Sequence, residues 1–196
     1  AFGYGYPVFN FYAPLSYYPP ALLNLIGIDL LIAVRLSLAF GFFGSAVGIV
    51  WLVRLWSGSV AASVSMLVFL AFPYRLFDLF IRGALPEFAA FFWFPWLAYA
   101  LARLVQKCWR HEPDAKRWVF WSALAWAGLL LTHNLSAVMA GLTGVGIASV
   151  LLVITIVRGE GKRVWTPLGW STLAIVAGTL LAGWYISPTL LESGWV

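Results

Sequence analysis

Four charged side chains lie close together in a chain that carries few charges. Arg75, Asp78, Arg82 and Glu87 all fall within the stretch 74–87, whereas only 10% of the whole chain is Asp, Glu, Lys or Arg. Two arginines suit an anionic, phosphate-bearing ligand, because the guanidinium group donates paired hydrogen bonds to phosphate oxygens. The alternative is a turn at a membrane interface, in which the arginines reach lipid headgroups and Asp78 merely neutralises them.

The spacing of these charges predicts a helix that ends within the stretch. The two arginines and the aspartate stand at positions i, i+3 and i+7, which share one stripe of an α-helix. Asp78 is therefore expected within reach of both arginines. Gly83 and Pro86 are expected to end the helix, and Glu87 then lies in the first turn of the next one, where the helix dipole favours a carboxylate.

Three more polar side chains are candidates for the same site. His133 and Asn134 interrupt a long apolar run. One interpretation is a tight turn between two helices, since Asn tolerates a left-handed conformation. The other is that His133 binds phosphate or donates a proton near neutral pH. Arg35 likewise has two interpretations, contact with lipid headgroups or ligand binding.

The common catalytic and metal-binding motifs are missing from the sequence. It contains no glycine-rich phosphate loop, no H-E-x-x-H helix and no nucleophile elbow. Cys108 is the single cysteine, which excludes a disulfide within the chain, and its C-x-x-H spacing to His111 is too little for a zinc site. No metal ligand is assigned.

The composition predicts an integral membrane protein. Of the 196 residues, 63% are hydrophobic, and the mean hydropathy is +0.91. Apolar segments near 20 residues favour spanning helices over the shorter alternating strands of a barrel. The fold class is therefore all-α, a polytopic transmembrane helical bundle. The net charge of +5 is explained by membrane topology, so nucleic-acid binding is excluded.

The whole chain is predicted to form one transmembrane domain, and turn and loop residues divide it into three parts. Residues 1–29 are predicted to form an outer aromatic loop and a juxtamembrane or re-entrant helix. Residues 187–196 are predicted to begin an outer loop. The region 30–186 between them is expected to hold about six spans, at 30–56, 60–72, 88–105, 118–131, 135–157 and 165–186.

Two spans carry further signals. Pro95 is expected to kink the third helix. In the fifth, Gly141, Gly144 and Gly146 form with neighbouring alanines a small-residue face suited to close helix packing.

The distribution of basic residues predicts the orientation of these spans. Nine Lys and Arg residues fall on one side of the predicted membrane and three on the other, the three being Arg35, Arg75 and Arg82. The first side is therefore predicted to be cytoplasmic. The stretch 74–87 and His133-Asn134 then lie on the outer face of the cytoplasmic membrane, in a multi-pass protein.

The order of several motifs resembles a bacterial family. These motifs are Gly5 to Tyr18, Arg35-Leu-Ser-Leu, Tyr74 to Glu87, Leu131-Thr-His-Asn-Leu-Ser and Ser187-Pro-Thr-Leu-Leu-Glu. The family is that of the multispanning "6-pyruvoyl-tetrahydropterin synthase-related" membrane proteins, a name that does not imply pterin chemistry. It looks like a branch of the GT-C glycosyltransferases, and the resemblance covers nearly the whole chain.

The resemblance implies a function. A GT-C enzyme transfers a sugar from a polyprenyl-phosphate carrier, and an acidic residue in its first outward loop acts as base or metal ligand. Residues 1–21 contain no Asp or Glu, and the chain begins without Met, so it is expected to be a fragment that lacks this acid. The resemblance leaves a divalent metal open as cofactor and implies membrane lipids and the carrier as partners. The residues expected to face the site are Arg35, Arg75, Asp78, Arg82, Glu87, His133 and Asn134.

Two other functions remain open at this point. A non-catalytic transporter of lipid or polysaccharide would also need basic residues that face a membrane cavity. A structural membrane subunit is the third alternative.

Overall fold

The computed structural model describes residues 12–191, except the side chains of Lys162 and Thr189. This range is helical and contains no strand, which confirms the predicted all-α class for it. The predictions for residues 1–11 and 192–196 lie outside the described residues.

Nine α-helices follow one another in the described range. A π-helical turn, Asp78–Arg82, directly follows the fourth. Short 3-10 turns lie at Pro14–Ser16 and Gly161–Val164. The helices are α1 (Tyr18–Leu25), α2 (Leu30–Val53), α3 (Ser59–Leu70), α4 (Pro73–Phe77), α5 (Leu85–Trp109), α6 (Ala115–Thr132), α7 (Asn134–Val157), α8 (Trp165–Leu181) and α9 (Gly183–Leu191).

Four segments of residues 12–191 are long and apolar enough to cross a membrane, fewer than the six spans predicted. They are Leu30–Val53, Ser59–Arg82, Leu85–Trp109 and Asn134–Val157. The second extends ten residues beyond its predicted end because α4 and the π-helical turn continue after α3. Helices α6 and α8, at 18 and 17 residues, are not among the four.

Several helix boundaries also differ from the sequence-based expectations. The last predicted span does not stop at Ser187. Instead α8 ends at Leu181, and α9 continues through Pro188 to Leu191, so residues 187–191 are helical and not the start of a loop. The short helix predicted before residue 30, in contrast, is present as α1, and Gly27 follows it with a φ of 92° that suits glycine.

Ring contacts between helices define the two ends of the bundle. Phe40 and Trp51 of α2 contact Phe92 and Tyr99 of α5, with ring centroids 5.5 and 5.8 Å apart, so α2 and α5 run in the same direction. Tyr99 also contacts Trp118, at the start of α6, so α6 runs in the opposite direction. We call the end at which α2 and α5 begin the Glu87 end, and the opposite one the Lys107 end.

The basic residues separate between these ends as the sequence predicts. Arg54, Arg110 and Arg158 immediately follow α2, α5 and α7, at the Lys107 end. Arg75 and Arg82 lie beyond the far end of α3, at the Glu87 end. The two sets used for the topology prediction therefore lie at opposite ends of the bundle.

Glycines allow the helices to approach closely in the core. A Cβ on Gly128 of α6 would lie 2.5 Å from the Trp93 ring of α5, and one on Gly178 of α8 would lie 2.4 Å from the Ala123 carbonyl oxygen of α6. Of the face predicted on α7, Gly141 makes an ordinary contact, with its added Cβ 3.5 Å from the Trp126 ring, and nothing lies within 4 Å of a Cβ at Gly144 or Gly146. The closest approaches occur on α6 and α8 and at Gly44 of α2, where a Cβ would lie 2.6 Å from the Phe92 ring.

A Gly178→Ala substitution is expected to destabilise the bundle, because its methyl group collides with backbone that a side-chain rotation cannot clear. Overpacking of this kind lowers the free energy of unfolding by about 1–3 kcal/mol. Thermal unfolding of the detergent-purified protein measures the loss. Gly169→Ala, in the same helix with open space around it, is the matched control. Equal stability of both variants would contradict the packing described.

Candidate functional site

The stretch that contains the charged cluster folds as a short helix with a widened last turn. Pro73 occupies the first turn of α4, where its missing N–H has no helical partner to lose. The π-helical turn ends at Gly83, whose φ of 63° is left-handed and whose N–H donates to the Asp78 carbonyl oxygen. Glu87 lies in the first turn of α5. The predictions for Gly83 and Glu87 are therefore confirmed.

Arg82 is the centre of a polar network at the Glu87 end. Its Nη1 donates to Asp78 Oδ1 at 3.1 Å, to Glu87 Oε2 at 2.9 Å and to the Tyr74 hydroxyl oxygen at 3.1 Å. The Tyr74 hydroxyl in turn donates to Glu87 Oε1. These contacts fix the guanidinium position. Arg82 nevertheless keeps 43% of its side chain exposed, and its Nε and Nη2 donate to no acceptor among the described residues.

Arg75 lies in a different environment from Arg82. It is fully buried, and its Nη2 donates to Ser45 Oγ at 2.7 Å and to the Phe42 carbonyl oxygen at 3.3 Å. Four phenylalanine rings surround the guanidinium carbon at 4.6 to 5.6 Å from their centroids. We call this the phenylalanine cage: Phe42, Phe69, Phe88 and Phe91.

The prediction that Asp78 reaches both arginines is wrong. Among residues 12–191, Asp78 forms an ion pair with Arg82 and none with Arg75. Helical spacing brings the Arg75 and Asp78 backbones close together, but Ser45 and the cage rings hold the guanidinium of Arg75 elsewhere. Asp78 is fully buried, and its Oδ2 has no hydrogen-bond partner in the described part of the chain.

His133 caps the start of α7. Its backbone is extended, and Nδ1 accepts a hydrogen bond from the Ser136 amide. Burial lowers the pKa of His133 below its ordinary value, Glu87 opposes this shift, and Arg82 adds to it. The hydrogen bonds of the ring, however, are made with Ser136 and not with Arg82, Asp78 or Glu87.

Asn134 and Arg35 lie at the same end of the bundle without joining that network. Asn134 begins α7 and donates from Nδ2 to the Tyr185 hydroxyl of α9 at 2.8 Å. The single residue His133 joins α6 to α7, so the tight turn between two helices is present, but Asn134 is helical and does not adopt the left-handed conformation. Arg35 is exposed on the second turn of α2 and makes no ion pair with a described residue.

Two polar partners in this region were not predicted as site residues. Tyr74 joins Arg82 to Glu87, although it is thirteen residues from that glutamate in sequence. Ser45 holds Arg75 from thirty residues away. Tyr74 lies inside the charged stretch, so its position was a usable signal, whereas nothing local in the sequence links Ser45 to an arginine.

The described residues do not gather a metal site. No group of three or more His, Cys, Asp or Glu side chains in residues 12–191 is placed to hold an ion. This part of the chain therefore does not by itself fit the divalent metal that the family resemblance left open.

Comparison with known proteins places the chain in a family. The family model of the 6-pyruvoyl-tetrahydropterin synthase related domain, described as a membrane protein, matches residues 9–196. The chain belongs to this family. No curated protein and no solved structure matches it. Family membership and the four apolar helices together identify a membrane protein, and the matched region contains the Arg82 network and the phenylalanine cage.

Arg75→Lys is expected to destabilise the protein, because an ammonium group cannot reproduce the planar contacts of the guanidinium in the cage. Loss of one hydrogen bond from a charged donor lowers the free energy of unfolding by about 1.5–3 kcal/mol. Thermal unfolding of the detergent-purified protein measures this loss of stability. Arg35→Lys, at an exposed position on α2, is the matched control and should unfold as the wild type does. A fully stable Arg75→Lys protein would show that the cage is not structural.

Proposed function

We propose that this chain is part of a membrane glycosyltransferase-like protein that uses a polyprenyl-phosphate-linked sugar donor at the outer face of the cytoplasmic membrane. In this proposal Arg82 binds the phosphate of the carrier. The observation that carries it is the state of Arg82, which is held in place through Nη1 by Tyr74, Asp78 and Glu87 and yet keeps 43% of its side chain exposed.

The geometry suits phosphate recognition in three respects. Only Nη1 of Arg82 is used by the network, so Nε and Nη2 are left to donate two parallel hydrogen bonds to phosphate oxygens. The position is fixed before the ligand arrives, which reduces the entropy lost on binding. The N-terminus of α5, two residues from Gly83, adds partial positive charge at the same end.

The two arginines of the charged stretch have different roles in this proposal. Arg75 is enclosed and therefore serves the fold, while Arg82 serves the carrier. During transfer, negative charge develops on the phosphate as the sugar leaves, and a fixed guanidinium stabilises that charge. A carboxylate outside this chain deprotonates the acceptor hydroxyl.

Arg82 carries its positive charge beside two carboxylates, so phosphate shares the guanidinium with Glu87. Asp78 is buried behind Arg82 and stays in place, whereas Glu87 keeps 20% of its side chain exposed and has Tyr74 as a second partner. Glu87 therefore keeps its partners when phosphate binds Nε and Nη2. Its negative charge near the phosphate limits the affinity, which allows the spent carrier to leave.

The experiment is the binding of polyprenyl phosphate to the full-length protein. Arg82→Lys keeps the charge but loses the planar pair of donors, so the affinity should fall roughly ten- to hundredfold, the equivalent of about 1.5–3 kcal/mol. Membrane abundance should not change. Arg117→Lys, an exposed arginine at the Lys107 end, is the matched control.

Three outcomes decide between the functions considered. Weaker binding in Arg82→Lys together with loss of sugar transfer supports the glycosyltransferase. Weaker binding in a protein that transfers no sugar supports a lipid or polysaccharide transporter. Unchanged binding in both Arg82→Lys and Arg82→Gln would remove Arg82 from the site and with it the proposal.

A further inference from the structure

An aromatic groove lies between α2, α5 and α6, and none of its lining residues belongs to the Arg82 network. Its volume is about 350 Å³, within the range of small-molecule pockets. Tyr99 and Trp118 place it toward the Lys107 end, and Leu124 lies on its exposed side. The walls are formed mainly by the rings of Trp51, Trp93, Trp96, Tyr99, Trp118 and Trp121.

The walls of this groove are held rigidly. Tyr99 makes edge contacts with Trp51, Trp96 and Trp118 at centroid distances of 5.8, 6.4 and 5.5 Å. The indole N–H of Trp96 donates to the Gly44 carbonyl oxygen at 3.1 Å, and that of Trp93 to Thr132 Oγ1 at 2.9 Å. Because interlocked rings cannot collapse inward, the groove is preformed. Its apolar lining suits a hydrocarbon chain better than a sugar or a phosphate.

Arg103 provides a positive charge next to the groove. Its guanidinium carbon lies 5.3 Å from the centre of the Trp118 ring, which is one of the walls. Within residues 12–191, the buried Nε of Arg103 has no hydrogen-bond partner and Arg103 forms no ion pair. Lys107, one turn further along α5, is paired with Glu112 and with Asp114.

Lys107 is paired with carboxylates and Arg103 is not, so the positive charge of Arg103 remains available to an anion that the described residues do not supply. The oxygens of a phosphate group would complete the hydrogen bonds of this guanidinium. Arg103 lies about two turns before the end of α5, close enough for its side chain to reach the headgroup region of the adjacent leaflet.

We propose that the groove binds one hydrocarbon chain of an anionic phospholipid whose phosphate pairs with Arg103. The rings of the groove hold the chain, and the guanidinium selects an anionic headgroup over a neutral one. The groove and Arg103 share no residue with the Arg82 network, and Arg103 lies toward the Lys107 end, whereas the Arg82 network lies at the Glu87 end. The two proposals can therefore fail independently.

Photo-crosslinking of the full-length protein tests this proposal. The probe is phosphatidylglycerol with a diazirine on one acyl chain, in nanodiscs of neutral lipid, and peptide mapping locates the adducts. Adducts are expected in 92–100 and 118–125. Arg103→Gln should reduce them about tenfold, and so should Leu124→Trp, which narrows the groove from its exposed side without altering a buried residue.

Two controls make the result decisive. Arg117→Gln removes a charge at the same end from an exposed residue outside the groove and should leave the adducts unchanged. The same diazirine on phosphatidylcholine should label the groove about tenfold less. Any of three results would overturn the proposal. These are equal labelling by both lipids, adducts spread along the exposed face of α7, and no labelling of the groove because other segments of the full-length protein cover it.

Discussion

The Arg75 guanidinium is the interaction on which the Glu87 end depends. Removing an isolated charge from water costs several kcal/mol unless other contacts replace its hydration. Here Ser45 and the Phe42 carbonyl accept hydrogen bonds from Nη2, and four rings supply cation–π contacts to the whole guanidinium, whose buried Nε and Nη1 have no hydrogen-bond partner among the described residues. These groups come from α2, α3 and α5, so one side chain fixes α4 against three helices.

The position of Arg82 follows from that constraint. Once α4 is fixed, the π-helical turn begins at Asp78 and ends at Gly83, where α5 can start after a short connection. Glu87 is then close enough to share Arg82 with Asp78. A π-helical turn of this kind is often found at functional sites. The buried Arg75 therefore fixes the helix whose continuation positions the exposed Arg82.

Local signals in the sequence predicted the turn at Gly83 and the position of Glu87 in the first turn of α5, but not the roles of the two arginines. Gly83 and Glu87 act on their own turns, so their effects can be read from neighbouring residues. The roles of Arg75 and Arg82 depend on Ser45 and on phenylalanines from other helices, contacts that no local pattern encodes. The prediction of close helix packing at Gly144 and Gly146 was wrong for a related reason, because a small-residue stripe is compatible with either close packing or exposure.

A structure of the full-length protein with bound polyprenyl phosphate tests the central claim most directly. We expect phosphate density within hydrogen-bond distance of Nε or Nη2 of Arg82, while Arg75 remains enclosed by the phenylalanine cage. Phosphate density away from Arg82, or an Arg75 that leaves the cage to bind the phosphate, would contradict the division between a structural and a ligand-binding arginine.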